Sequence, residues 1–371
     1  METMAGMRRG KTLKSTLMMI LALLCAPSPA SAPPGTALIS PSDPQIRYTG
    51  RFDARNPKNI RFDWPGSMIE LRFGGTSCAV KIRGDGGQYN ISVNDSAFVA
   101  RFDTTESVHQ LAAGLDGEST HYVRIFKRFE GARGQIAEFK GFYIDAGQSL
   151  HPLPHPRPAR RIELIGGSNL LGFGAEAGTI HCDTPAVWSN AYIAFGLTAA
   201  RALGAEAHMA TMTGKGLMRN WQSPFIAAPR PFGPQYPRTL KNDSTALWDF
   251  KSWTPHVAVV NFGTNDFSSR PYPPKEVYTA HYRSFLYELW GRYPKVKIVC
   301  VMSAREPVRT YIEELVRQEQ AEGNTKIHFY SYSQVPKRLS GCDWHPGTEA
   351  QAKIGAELAE VIEPLFEGID Y

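Results

Sequence analysis

The chain has 371 residues, of which 42% are apolar and 20% charged, and its formal charge is +6. That length admits two domains with cores of their own, and the composition is that of an ordinary globular protein without low-complexity tracts or internal repeats. A weak positive balance without Lys/Arg clusters argues against nucleic acid as a partner.

Arg8, Arg9, Lys11 and Lys14 precede the apolar run 17–24, and Ala30-Ser31-Ala32 offers a small-residue cleavage site. Residues 1–32 therefore read as a signal peptide, because the run is too short to cross a bilayer and Pro27 and Pro29 follow it. Its removal takes away those four cations and Glu2, leaving a charge of about +3. Leu24 before Cys25 is too bulky for a lipoprotein cleavage box, so the expected product is exported and free of the membrane.

From Ile46 to Asp145 the runs are short and alternate apolar with polar residues, as in 60–64, 68–73, 79–83, 89–93 and 121–126. Pro65-Gly66, Asp85-Gly86-Gly87 and Asn94-Asp95 mark turns between them. This period of two predicts an antiparallel β-sandwich of jelly-roll size over 33–150. In 151–159 proline recurs at every second position as far as Pro158, which makes a stiff linker. From 160 to 371 apolar strand candidates at 161–166, 205–211, 256–262, 296–302 and 326–331 alternate with helical stretches near 187–203, 275–292, 306–322 and 347–366. Such alternation predicts a parallel sheet covered on both faces, a three-layer α/β/α fold whose ligands bind beyond the carboxyl ends of the strands.

Four short blocks in this second half carry the candidate chemistry. Ser168 follows the first strand in Gly166-Gly167-Ser168-Asn169, and the later blocks are Thr213-Gly214-Lys215-Gly216, Gly263-Thr264-Asn265-Asp266 and Asp343-Trp344-His345-Pro346. A serine hydroxyl needs an adjacent base to act as nucleophile, and His345 is the candidate. Asp343 would fix the tautomer of His345 and steady its charged form. It could instead cap the final helix or lie in solvent, leaving a backbone carbonyl to orient the ring. The Ser168 and Gly214 N–H groups and the Asn265 side chain suit an oxyanion hole, with Gly216 an alternative to Gly214. Simpler roles are a helix N-cap for Ser168, tight loops for the glycines and a turn residue for Asn265. Leu170 stands where the nucleophile elbow Gly-x-Ser-x-Gly requires glycine, which excludes an α/β-hydrolase.

Beyond the leader lie Cys78, Cys182, Cys300 and Cys342. Cys300 falls inside a strand candidate and reads as a buried free thiol, whereas Cys182 and Cys342 fall in loops that approach the proposed site and allow a bridge. No cysteine pair has metal-ligand spacing.

The four blocks resemble those of the SGNH (GDSL-type) hydrolase superfamily, through Ser168, Gly214, Asn265 and His345. With Tyr48-Thr-Gly-Arg-Phe-Asp53, Val123-Arg-Ile-Phe-Lys-Arg128, Gly141-Phe-Tyr-Ile-Asp145 and Gly214-Lys-Gly-Leu-Met-Arg-Asn220, the chain looks most like carbohydrate esterase family 2. That resemblance implies an N-terminal jelly roll joined to a flavodoxin-like catalytic sheet. It implies a serine esterase that removes O-acetyl groups from xylan or glucomannan without metal or organic cofactor; with the leader, the expected product is secreted or periplasmic, and it is expected to be a monomer. Trp344, with Trp221 and Trp253, would wall the sugar site, although Trp221 and Trp253 suit core or rim packing equally well. Two departures stand out: Gly167 replaces the aspartate of the Gly-Asp-Ser signature, and Asp-x-His replaces Asp-x-x-His. The alternatives are a general short-chain esterase, an envelope-glycan esterase, or a glycan-binding protein with a degenerate hydrolase site.

Overall fold

The computed structural model describes residues 31–227 and 231–369. The signal-peptide reading lies, but for its last two residues, outside the described residues. In the first half the alternating runs form two antiparallel sheets. One has five strands, in the order Thr36–Ile39, Ala137–Asp145, Cys78–Arg83 and Glu106–Ala112, with Ile60–Phe62 also on Ala137–Asp145. The other has six, in the order Leu150–His151, Met68–Gly74, Thr120–Lys127, Gln88–Val93 and Ser96–Arg101, with Arg47–Thr49 on Met68–Gly74. Period two sets which side chains turn inward. In Gln88–Val93 these are Tyr89, Ile91 and Val93, and they meet Ile69, Leu71, Val80, Ile82 and Phe139 from both sheets in one core. Each such side chain contributes about 2 kcal/mol by leaving water.

Residues 152–160 run without helix or strand to Arg161, where the pattern changes. Five parallel strands follow in the order Glu206–Thr211, Arg161–Gly166, Val257–Asn261, Lys297–Ser303 and Ile327–Tyr332. Both faces are buried. Val257, Val259, Val299 and Val301 join the core under helices Phe195–Ala202 and Thr348–Ile362, while Ala258, Val260, Ile298 and Cys300 join the core under Lys275–Arg292 and Val308–Ala321. Cys300 is a buried free thiol, as expected.

The helix expected at 187–203 begins only at Phe195. Ser189 and Asn190 explain the delay, because their side chains take up local backbone groups. Ser189 Oγ donates to Pro185 O and accepts from Gly174 N, and Asn190 Oδ1 accepts from Tyr192 N. The halves interlock. Trp64 lies in one core of the parallel sheet and Phe126 and Phe129 in the other, and buried Arg51 bonds Glu163 at 2.8 Å.

Candidate active site

The first parallel strand lies between the second and the third, so the chain leaves it in opposite directions on the two sides. Ligands collect at such a switch point. Gly166 pairs with Thr211 on one neighbour and Asn261 on the other, so the segments after these three strands emerge side by side. Ser168 opens the short helix Ser168–Leu171 there and is only 7% exposed. Gly167 keeps an extended conformation (φ −99°), and its N–H donates to Asn261 O at 3.2 Å. The serine turn is thus anchored through backbone at Gly167.

His345 arrives from beyond the far edge strand, Ile327–Tyr332, on a turn bounded by the bridge between Ser340 and Pro346. Its Nε2 lies 2.8 Å from Ser168 Oγ, and its Nδ1 lies 3.0 Å from Cys342 O. A carbonyl oxygen only accepts, so Nδ1 carries the proton and Nε2 is left to accept from the serine hydroxyl. Burial holds the imidazole below its usual pKa, against the raising effects of the Cys342 carbonyl and the Asp343 charge. The resting ring is therefore neutral, the form a general base requires.

Of the two orienting groups left open by the sequence, the Asp343 carboxylate and a backbone carbonyl, it is the Cys342 carbonyl that stands at Nδ1. Asp343 and Trp344 both adopt left-handed backbone (φ 49° and 64°), and the Asp343 carboxylate is exposed. Two consecutive non-glycine residues in this region cost about 1–2 kcal/mol each. The curl they make folds the Cys342 carbonyl back onto the ring. Three hydrogen bonds offset that cost by tying the turn to the loop after Ser168. Cys342 N bonds Gly174 O at 3.1 Å, Asp343 N bonds Ile180 O at 3.0 Å and Thr348 N bonds Ala175 O at 3.0 Å. A disulfide between Cys182 and Cys342 adds a covalent tie, so the bridge left open by the sequence is present.

Asn265 sits against the serine turn. Its Nδ2 donates to Lys215 O at 2.7 Å, and a Cβ at Gly167 would stand 3.1 Å from that nitrogen. One amide hydrogen is used on Lys215, and the other is available to an oxyanion. Gly214 (φ +71°) and Trp221 share this loop, with Trp221 N bonding Gly214 O at 2.8 Å. Gly216 has a packing reason of its own, since a Cβ would stand 2.2 Å from Arg219 O and 2.5 Å from Asp266 Oδ2. Asp266 is buried beneath the loop. Its Oδ1 accepts from Met218 N and Arg219 N, and burial raises its pKa to about 6.

A cleft of about 460 Å³ opens beside the dyad, lined by Asn169, Thr264, Arg305, Glu306, Trp344 and His345 among others. Trp344 is 59% exposed on its wall and Trp221 is 58% exposed on the Gly214 loop. Trp253 is not part of the site. It is 9% exposed, stacks on His208 at 3.7 Å and donates to Glu206, at the opposite end of the strand that leads to Gly214. The sequence reading did not single out Phe173, whose ring lies 4.6 Å from His345, or Arg305 and Glu306. A Phe five residues past Ser168 carries no signal beyond core packing. Among the described residues no group of three or more His, Cys, Asp or Glu is placed to hold a metal ion.

Comparison with known proteins adds a family to this geometry. Residues 48–154 match the family described as carbohydrate esterase 2 N-terminal. A solved family two carbohydrate esterase from Clostridium thermocellum, in complex with cellohexaose, is 30% identical, with a TM-score of 0.78 over 86% of this chain and 98% of that one. The chain belongs to carbohydrate esterase family 2. This is a family of carboxylic ester hydrolases. Among curated relatives, the cellulase/esterase CelE of Acetivibrio thermocellus is 31% identical over 86% of this chain. This family 2 chain spans only 39% of that relative's length. An acetylxylan esterase / glucomannan deacetylase of Cellvibrio japonicus is 27% identical over 79% of this chain and 82% of its own.

Proposed function

We propose that this chain is a secreted, monomeric serine esterase that removes O-acetyl groups from plant cell-wall polysaccharides of the xylan and glucomannan type. The reading divides it into a jelly roll over 33–150, a linker over 151–159 and a catalytic domain over 160–371. One observation carries the chemistry: Ser168 Oγ and His345 Nε2 are 2.8 Å apart while the far ring nitrogen is committed to a backbone carbonyl. Ser168 attacks the acetyl carbonyl as its proton passes to Nε2. The Ser168 and Gly214 N–H groups and the Asn265 amide receive the developing oxyanion, each contributing about 3 kcal/mol. Collapse of this intermediate expels the sugar alkoxide, which His345 protonates. Water then attacks the acyl-enzyme with the same base, releasing acetate. A carbonyl dipole stabilises the imidazolium less than a carboxylate would, so the site works as a dyad. The names of the relatives support acetylated carbohydrate as substrate, and Trp344 and Trp221 offer apolar faces to a sugar ring.

Ser168→Ala tests the reading. Turnover of 4-nitrophenyl acetate is expected to fall by about 10⁴-fold or more. Equal turnover by variant and parent would remove the enzyme reading in favour of a glycan-binding protein. Acetate release from acetylated xylan and glucomannan, exceeding that from peptidoglycan, is the expected substrate order; the reverse order would favour an envelope glycan.

A further inference from the structure

Three consecutive residues of the antiparallel half reach segments that carry the site. Arg128, Phe129 and Glu130 follow the strand Thr120–Lys127. The Arg128 guanidinium pairs with Glu176, and the Arg128 carbonyl accepts from Ala191 N at 2.7 Å. Both contacts fall on the 172–191 loop, which ties down the His345 turn through Gly174, Ala175 and Ile180. Arg128 is itself fixed from behind, because its other terminal nitrogen donates to Asn90 at 2.7 Å. The Phe129 ring is buried 6.0 Å from Phe173, which in turn lies 4.6 Å from the His345 ring. Glu130 turns the other way. One of its oxygens accepts from Thr213 N at 3.2 Å, next to Gly214, and the other pairs with Lys241 at 3.4 Å.

We propose that Arg128, Phe129 and Glu130 are positioning residues that set the catalytic base and the oxyanion loop from outside the catalytic sheet. The proposal rests on the Ser168–His345 reading above. It assigns the antiparallel half a part in catalysis that needs no glycan bound to it. A misplacement of about 1 Å between reacting groups costs on the order of a hundredfold in rate. The His345 turn is irregular and has no strand ladder to fix it, so its position depends on whatever packs against the loop beneath it. Phe129 presses on that loop through Phe173, and Glu130 stops Thr213 from drifting away from Ser168.

The test compares the full-length variants Glu130→Ala, Glu130→Gln, Phe129→Ala and Phe129→Leu by kcat, KM and pH profile on 4-nitrophenyl acetate. Each is measured well below its own unfolding temperature, so loss of folded protein does not enter. Glu130→Ala is expected to lower kcat about tenfold with KM within about twofold, and Glu130→Gln, which keeps an acceptor for Thr213 N, to recover most of that loss. Phe129→Ala is expected to lower kcat and admit water to His345. The acid limb should then move up toward the ordinary imidazole value near 6.5, with Phe129→Leu in between. Asp343, whose charge acts on His345, and Arg305 and Glu306 on the cleft wall are unchanged in all four variants. If Phe129→Ala does not fold, the partly exposed Glu130 pair decides the matter. Folded variants with parental kcat and an unmoved acid limb, beside an inactive Ser168→Ala, would overturn this proposal alone. Turnover surviving in Ser168→Ala would overturn the reading beneath it.

Discussion

Ser168 leaves the carboxyl end of a central strand paired on both sides, and its neighbours Gly214 and Asn265 leave the two flanking strands. His345 sits instead on a turn of two left-handed residues, tied to the rest of the molecule by a disulfide, three backbone hydrogen bonds and a ring contact. Regular pairing fixes Ser168 wherever the sheet is intact. His345 is held by a short set of separate ties, each of which can be cut alone. Removing one tie should therefore change rate on the histidine side, whereas a change buried beneath the serine side, as at Asp266, should show first as stability.

Cutting the covalent tie should give the largest effect. Cys182 and Cys342 are 160 residues apart, and closing so long a loop stabilises by about 2–5 kcal/mol. Cys182→Ser is expected to lower the melting temperature and, in folded protein, to reduce kcat about tenfold with little change in KM. A parental kcat in the folded variant would show that the hydrogen bonds suffice.

On the serine side, Asp266 lies buried under the oxyanion loop with its pKa raised from 3.8 to about 6. The native state therefore holds this proton more tightly than the unfolded chain. The stabilisation is complete at low pH and is lost as pH rises through about 6. Asp266→Asn keeps an acceptor for Met218 N and Arg219 N but cannot ionise. Denaturant unfolding should show the variant gaining on the parent by up to about 3 kcal/mol between about pH 4 and pH 7. A constant difference across that range would refute the buried-acid account.

The smallest effect distinguishes a dyad from a triad. Loss of a true triad acid costs about 10⁴-fold in kcat. Because the Cys342 carbonyl holds His345 Nδ1, Asp343→Asn should cost less than about threefold. Burial lowers the pKa of His345, so the acid limb of kcat/KM should lie below about 6.5. Asparagine at 343 should move that limb slightly lower, since the lost charge favoured the protonated ring.

Much of this arrangement was legible in the sequence because period and position are local signals. The five parallel strands were placed to within a residue or two, and Ser168, Gly214 and Asn265 read as neighbours because each follows a strand candidate. What escaped depended on contacts between distant segments. No spacing rule marks Phe173 as a neighbour of His345, or Glu130 as a partner of Thr213. The choice between the Asp343 carboxylate and the Cys342 carbonyl turned on two left-handed residues, neither of them glycine or asparagine, so composition gave no warning. Trp253 was drawn toward the site by its residue type, although its strand end faces the other way.

Gly167 bears on any attempt to redesign the chain. A side chain there would begin 3.1 Å from the Asn265 amide nitrogen, closer than most carbon atoms approach a neighbour. Placing an aspartate there, as in the Gly-Asp-Ser signature the sequence resembles, would push that amide aside unless Lys215 yielded with it. The glycine, the amide and the loop that receives it are therefore a matched set, and a substitution that looks like a repair would need partners elsewhere.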